Sequence, residues 1–115
     1  VNTASPPAAP LLAVVTTVAT LSDAQRLARM LVEQGLAACA QVSEIESFYP
    51  WEGQLQQERE WRVVFKTAAE RYAAVEAAIR EAHPYELPAI VAVALERAYE
   101  PYAHWVAAHS GAAGR

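Results

Sequence analysis

The chain has 115 residues, a net charge of −4 and 54% hydrophobic residues. That length fits one domain with a small but real core, and this hydrophobicity at low net charge excludes intrinsic disorder. Lys66 is the only lysine and the arginines are scattered, which excludes binding to nucleic acid through a basic stripe facing phosphates.

Residues 1–10 are rich in alanine and proline and read as a loose N-terminal tail. Leu11 to Thr17 is a β-branched apolar run, short enough for a central strand buried on both faces. Ser22-Asp-Ala-Gln25 then reads as a capping box that opens a helix. Ala24, Leu27, Ala28 and Leu31 form its apolar face, and Gly35 ends it in a left-handed turn with Leu36 folding back on Leu31. Ala38 to Val42 begins a second strand, with a bulge expected near Ser43–Glu44 where the alternation breaks. Pro50 and Gly53 punctuate a turn over residues 49–53. The return strand, Glu60 to Lys66, places Trp61, Val63 and Phe65 on one face. Thr67-Ala-Ala-Glu70 reads as a second capping box. Tyr72, Val75, Ile79 and Ala82 then make a helical stripe that stops before Pro84, since a residue preceding proline avoids the helical region. Ala89 to Leu95 reads as a fourth buried strand. Pro101 opens a terminal helix carrying Tyr102, Trp105 and Val106, and residues 109–115 read as a second loose tail.

Strand, helix, strand, strand, helix, strand is the order of a split βαβ, or ferredoxin-like, α+β domain over residues 11–108 with an extra C-terminal helix. Right-handed crossovers put both internal helices on one face of an antiparallel sheet. The other face then needs a cover, from the last helix or from another subunit. The longest apolar run, Leu11 to Ala19, falls short of the ~18 residues of a membrane span. No positive charge precedes it, so it does not read as a secretory signal, and a cytoplasmic location is the expectation. Cys39 is the single cysteine, which excludes an intrachain disulfide and a four-cysteine zinc cage.

No nucleophile motif stands out, and four glycines in all make a phosphate-cradling loop untenable. Cys39 and His83 are the one pair of soft donors, a thiolate and an imidazole that suit copper or zinc. With a carboxylate such as Glu86 they would make a modest site that weakens as His83 protonates near its ordinary pKa of ~6.5. The bland readings are a buried inert thiol and a histidine capping a helix end. Tyr49 and Trp51 beside a turn are unusual without a partner surface to cover them.

Five segments stand in order along the chain: Leu31-Val-Glu-Gln-Gly-Leu-Ala-Ala-Cys-Ala40, Ser47-Phe-Tyr-Pro-Trp-Glu-Gly53, the strand from Glu60 to Thr67, His83-Pro-Tyr-Glu-Leu-Pro88, and Tyr102-Ala-His-Trp-Val106. Together they resemble the CutA-type divalent-cation tolerance proteins. The resemblance runs from Leu11 to about Val106. It implies a ferredoxin-like subunit in a homotrimer related in architecture to the PII signalling proteins, and tolerance of divalent metals, notably copper, without catalysis or an obligatory cofactor. It also implies that Tyr49, Trp51, Glu60, Lys66, Tyr85, Tyr102 and Trp105 line a subunit interface or ligand cleft. Pro50 stands where the family often has an aromatic. Thr16-Thr17 and Ala82 stand where some bacterial members carry a cysteine and a second histidine, so of those ligands only His83 remains.

Three rival classes make different demands. A PII-like sensor of a small anionic ligand would need clustered Arg/Lys and Gly-rich loops. An RNA-binding ferredoxin-like module would need exposed sheet aromatics in an RNP pattern. A small hydrolase would need a nucleophile or a phosphate cradle. The expected partners are copies of the same chain and divalent metal ions, with neither nucleic acid nor membrane.

Overall fold

A computed structural model describes residues 10–111. Four strands, β1 (Leu11–Val18), β2 (Cys39–Trp51), β3 (Gln54–Ala68) and β4 (Ile90–Leu95), form one antiparallel sheet in the order β2-β3-β1-β4. Helices α1 (Leu21–Glu33) and α2 (Tyr72–Ala82) are the two crossovers, and α3 (Glu100–His109) follows β4. This is the expected ferredoxin-like α+β fold with its additional helix.

The core forms where one face of the sheet meets α1 and α2. Val14 and Val18 of β1, Val63 and Phe65 of β3, Leu27 and Leu31 of α1, and Val75 and Ile79 of α2 are all fully buried there. Each such side chain contributes about 1.5–3 kcal/mol relative to an exposed one. A smaller cluster of Leu11, Ala38, Ala103 and Val106, with Leu95 against it, seats α3 on the opposite face. That helix covers only the Leu11 end of the second face, so much of this face stays open in a single chain.

Local chemistry explains where α1 stops. Gly35 adopts φ +70°, its N–H donates to Val32 O at 3.0 Å, and the Leu36 N–H donates to Leu31 O at 2.9 Å. These are the two bonds of a Schellman motif. The start of α1 differs from the expected Ser22 box. Thr20 is the N-cap, extended at φ −130°, and its hydroxyl accepts from the Asp23 N–H at 3.0 Å. Asp23 also lies in the first turn, where an acidic group suits the helix dipole.

Further expectations are corrected. The β2–β3 register runs unbroken from Cys39↔Lys66 to Trp51↔Gln54, so no bulge interrupts Ser43–Glu44. The turn is only Glu52–Gly53, both at positive φ (51° and 79°), the pattern of the tight turn that suits the twist of a hairpin. Pro50 therefore sits inside β2, opposite Leu55. Because Trp51 and Gln54 close the turn as a hydrogen-bonded pair, Pro50–Leu55 is a non-bonded pair and the missing N–H faces the open edge. The second capping box does not form: Thr67 belongs to β3, and its buried hydroxyl donates to Leu36 O at 2.8 Å. A 3₁₀ turn, Ala69–Arg71, leads into α2 instead.

The strand expected to be buried, β4, is exposed or half-exposed along its whole length. At the C-terminus α3 runs through His109, and Ser110 is fully buried. Its hydroxyl accepts from the Ala68 N–H at 3.2 Å and donates to Val106 O at 2.8 Å. The segment expected to be loose from residue 109 thus begins no earlier than Gly111. The rest of both expected tails, residues 1–9 and 112–115, lies outside the described residues.

Candidate functional site

The sheet carries the candidate residues to two separate places. At the Val18 end of β1, the segment after α2 folds back on the hairpin. His83 is extended (φ −76°, ψ 135°), as a residue before proline must be, and this turns its ring under β1. The ring Nε2 lies 2.9 Å from Thr17 O, and Nδ1 lies 3.1 Å from the Tyr85 backbone N–H. A carbonyl can only accept and an amide N–H can only donate, so His83 is the neutral tautomer with its proton on Nε2. Burial lowers its pKa, against the opposing pull of the Thr17 carbonyl and of Asp23.

Tyr85 then reaches β3. Its hydroxyl donates to Glu60 Oε2 at 2.7 Å, and its ring packs at 4.8 Å from His83. Glu60 is only 6% exposed, so the phenol serves a carboxylate largely removed from water. Burial, then the bond to Glu60, raises the Tyr85 pKa. One step along the hairpin, the Tyr49 hydroxyl donates to Glu58, which raises the Tyr49 pKa to about 12. Glu86 does not join this group; it lines a shallow groove with Ala77, Arg80 and Tyr85.

At the Leu11 end of β1, Cys39 and Lys66 are cross-strand partners beneath α3. Cys39 Sγ lies 3.7 Å from the Tyr102 hydroxyl, and Lys66 Nζ lies 5.7 Å from the centre of the Tyr102 ring. Burial, then the thiol, raises the Tyr102 pKa. Trp105 stacks on Tyr102 at 5.8 Å. Trp51 stands apart from both groups near the hairpin tip, 41% exposed.

The expected metal set of Cys39, His83 and Glu86 is therefore not assembled within one chain. Cys39 lies two strands across from Ala13, through Lys66, and His83 sits at Thr17, so four residues of strand and two strand spacings put them about 16 Å apart. Both ring nitrogens of His83 are already engaged. Among the described residues, no group of three His, Cys, Asp or Glu side chains is placed to hold a metal ion. Sequence reasoning named Tyr85 and Glu60 but not their bond to each other. The available signal was the His-Pro step, whose forced extended backbone carries Tyr85 away from α2.

A four-stranded split βαβ sheet with an added helix, a projecting hairpin and an uncovered edge strand defines a ferredoxin-like fold, in which no group of three His, Cys, Asp or Glu among the described residues is placed to hold a metal ion. The CutA1 divalent ion tolerance protein family matches residues 12–109. The divalent-cation tolerance protein CutA of Archaeoglobus fulgidus is 34% identical over 90 residues, 78% of this chain and 88% of that protein. Its counterpart in Thermotoga maritima is 37% identical over 83 residues, 72% of this chain and 82% of that one. The structure of CutA from Synechococcus elongatus superposes with a TM-score of 0.87 at 33% identity, covering 95% of this chain and 97% of that one. The chain belongs to the CutA divalent-cation tolerance family.

Proposed function

We propose that this chain acts in divalent-cation tolerance as a homotrimer in a reducing, cytoplasmic setting, as a binding protein rather than an enzyme. The observation that carries the reading is the uncovered sheet. Val91 and Val93 of β4 are 57% and 55% exposed, and Phe48 and Leu55 near the hairpin tip are 58% and 76% exposed. Single exposed apolar residues are ordinary, but a row of them along an edge strand marks an interaction surface. The two sheet edges, β2 and β4, are different strands. Pairing one with the other on a second copy gives a head-to-tail contact, which makes a ring where the rotation per copy closes, as it does at three copies in a trimer.

The hairpin supports the same reading. The last β1–β3 pair is Val18↔Trp61, so residues 54–60 of β3 pair only with β2. The arm they form lengthens the chain to 63 Å along one axis against 24 and 21 Å across. A bare two-stranded ribbon of seven residue pairs is marginal in water without another surface.

Copper is the cation this reading names, met where chains adjoin. Cys39 is a half-exposed soft donor with no disulfide partner, and thiolates favour soft metals over magnesium. The remaining donors come from a neighbouring copy, because the described residues of one chain assemble no metal-binding group around Cys39. Sedimentation velocity and copper titration of the purified protein test both parts. A trimer that binds copper in the wild type and loses most of it in Cys39→Ser is the expected result. A stable monomer at micromolar concentration overturns the assembly, and equal binding by wild type and Cys39→Ser overturns the copper contact.

A further inference from the structure

The hairpin arm keeps an open edge even after the proposed ring has formed. The β2–β3 register runs unbroken from the Trp51↔Gln54 pair at the turn to Cys39↔Lys66. Bonding alternates along an antiparallel ladder, so the odd-numbered residues of β2 bond to β3 and the even-numbered ones aim their backbone groups at the free edge. Ala40, Val42, Glu44, Glu46 and Phe48 therefore offer N–H groups to an added strand. Pro50, next in that row, offers none. β4 has six residues against thirteen in β2, so a β4 strand from a second copy leaves more than half of the edge unpaired. It pairs where donors are present, on the sheet side of Pro50, and the tip is left over.

That tip is well suited to further strand addition. Ser47-Phe-Tyr-Pro-Trp51 carries no charge, Phe48 and Trp51 are exposed, and its three aromatic residues are strand formers. Uncharged, apolar windows of this kind pair with copies of themselves unless a proline or a charge interrupts them. Two β2 edges are the same surface, so they can meet antiparallel about a two-fold axis. Pro50 is the interruption within the window.

We infer that Pro50 ends strand addition on β2: it keeps the arms of separate assemblies from pairing edge to edge, so that the ring is the last step of association. The identity of the finished assembly rests on the proposed ring, whereas the stop itself rests on the β2–β3 register. The missing donor is the mechanism. Pairing two arms through residue 50 would leave a carbonyl of the opposing strand without its N–H and set the proline ring against that strand. A buried acceptor left unsatisfied costs more than an ordinary bond contributes.

The test restores the donor in the full chain. Pro50→Val and Pro50→Thr each supply an N–H on a β-branched strand former, one with an apolar side chain and one with a polar one. Position 50 is exposed, so neither variant disturbs the core, and circular dichroism should match the wild type. In sedimentation velocity across the micromolar range the wild type should stay a single species, and both variants should add a species of twice its mass. Hydrogen exchange of the new amide at residue 50 should be about tenfold slower in that larger species, the factor expected from one ordinary hydrogen bond. No larger species in either variant overturns the stop, as does a larger species already present in the wild type. A larger species in Pro50→Val alone also overturns it, since the contact would then run through an apolar side chain. So does unslowed exchange at residue 50. A monomeric wild type overturns the ring alone, and the stop is then decided by whether both variants dimerise.

Discussion

Strands β1 and β4 are near twins in composition and opposites in environment. Leu-Leu-Ala-Val-Val-Thr-Thr-Val forms β1, which is buried or half-buried throughout, and Ile-Val-Ala-Val-Ala-Leu forms β4, which is exposed at its four central residues. They lie side by side, paired from Leu11↔Leu95 to Thr16↔Ile90. The difference is position alone: β1 has a strand on each side and α1 and α2 below it, and β4 has one neighbour and an open edge. An apolar edge strand left in water is an aggregation hazard that proteins remove by covering it. The contrast therefore makes β4 the strand on which the proposed assembly is to be tested.

The largest expected effect breaks the contrast at β4. Val91→Lys combined with Val93→Lys should leave the monomer fold intact by circular dichroism, because both side chains already face solvent. The same pair should lower the assembly constant by about 100-fold or more, since burying an unpaired ammonium costs several kcal/mol. An unchanged sedimentation profile would place the subunit contact elsewhere. The counterpart on the covered face of the sheet is Phe65→Ala, at a fully buried ring of β3. Its expected cost is about 3–5 kcal/mol in urea unfolding, and a loss below about 1 kcal/mol would contradict the packing described for α1 and α2.

These two strands also show how far the sequence could be read. β1, the Gly35 stop of α1 and the end of α2 before Pro84 are set by residues within one turn or one strand, and the sequence carries those signals intact. The burial of β4 depends on what lies beyond it, which composition does not record. Thr67 followed by Glu70 satisfies the capping-box spacing, yet β3 continues through it because Leu36 O, a group 31 residues away, accepts its hydroxyl. The candidate residues were legible one at a time and their grouping was not. Cys39 and His83 share a preference for soft metals, but four residues along β1 and two strand spacings separate them.

A smaller effect tests which residue opens α1, the helix that covers β1. Thr20→Ala should cost about 1 kcal/mol, as the loss of an N-cap hydroxyl usually does. Ser22→Ala should fall within about 0.5 kcal/mol of zero, since Ser22 is exposed on the helix surface. The reverse ranking in thermal melts would restore Ser22 as the cap.

The smallest effect is that of acid, and it acts where β1 and β4 are joined by polar groups. Thr16 Oγ1 donates to Ala89 O at 2.7 Å just before β4 begins, and His83 Nε2 donates to Thr17 O at 2.9 Å just before β1 ends. Burial lowers the His83 pKa in the folded chain, so between that value and ~6.5 the unfolded chain binds more protons. The stabilisation is fully present above ~6.5 and is lost as pH falls through the folded value. Melting temperature should therefore drop between about pH 7 and about pH 5 in the wild type, and the drop should shrink in His83→Asn. Tyr102, at the far end of β1, does not titrate in this direction, because its pKa is raised. A melting temperature that rises on acidification would mean that the ring gains more from Asp23 and Glu60 as a cation than it loses to burial, and the Thr17 and Tyr85 contacts would then belong to the weaker of its two states.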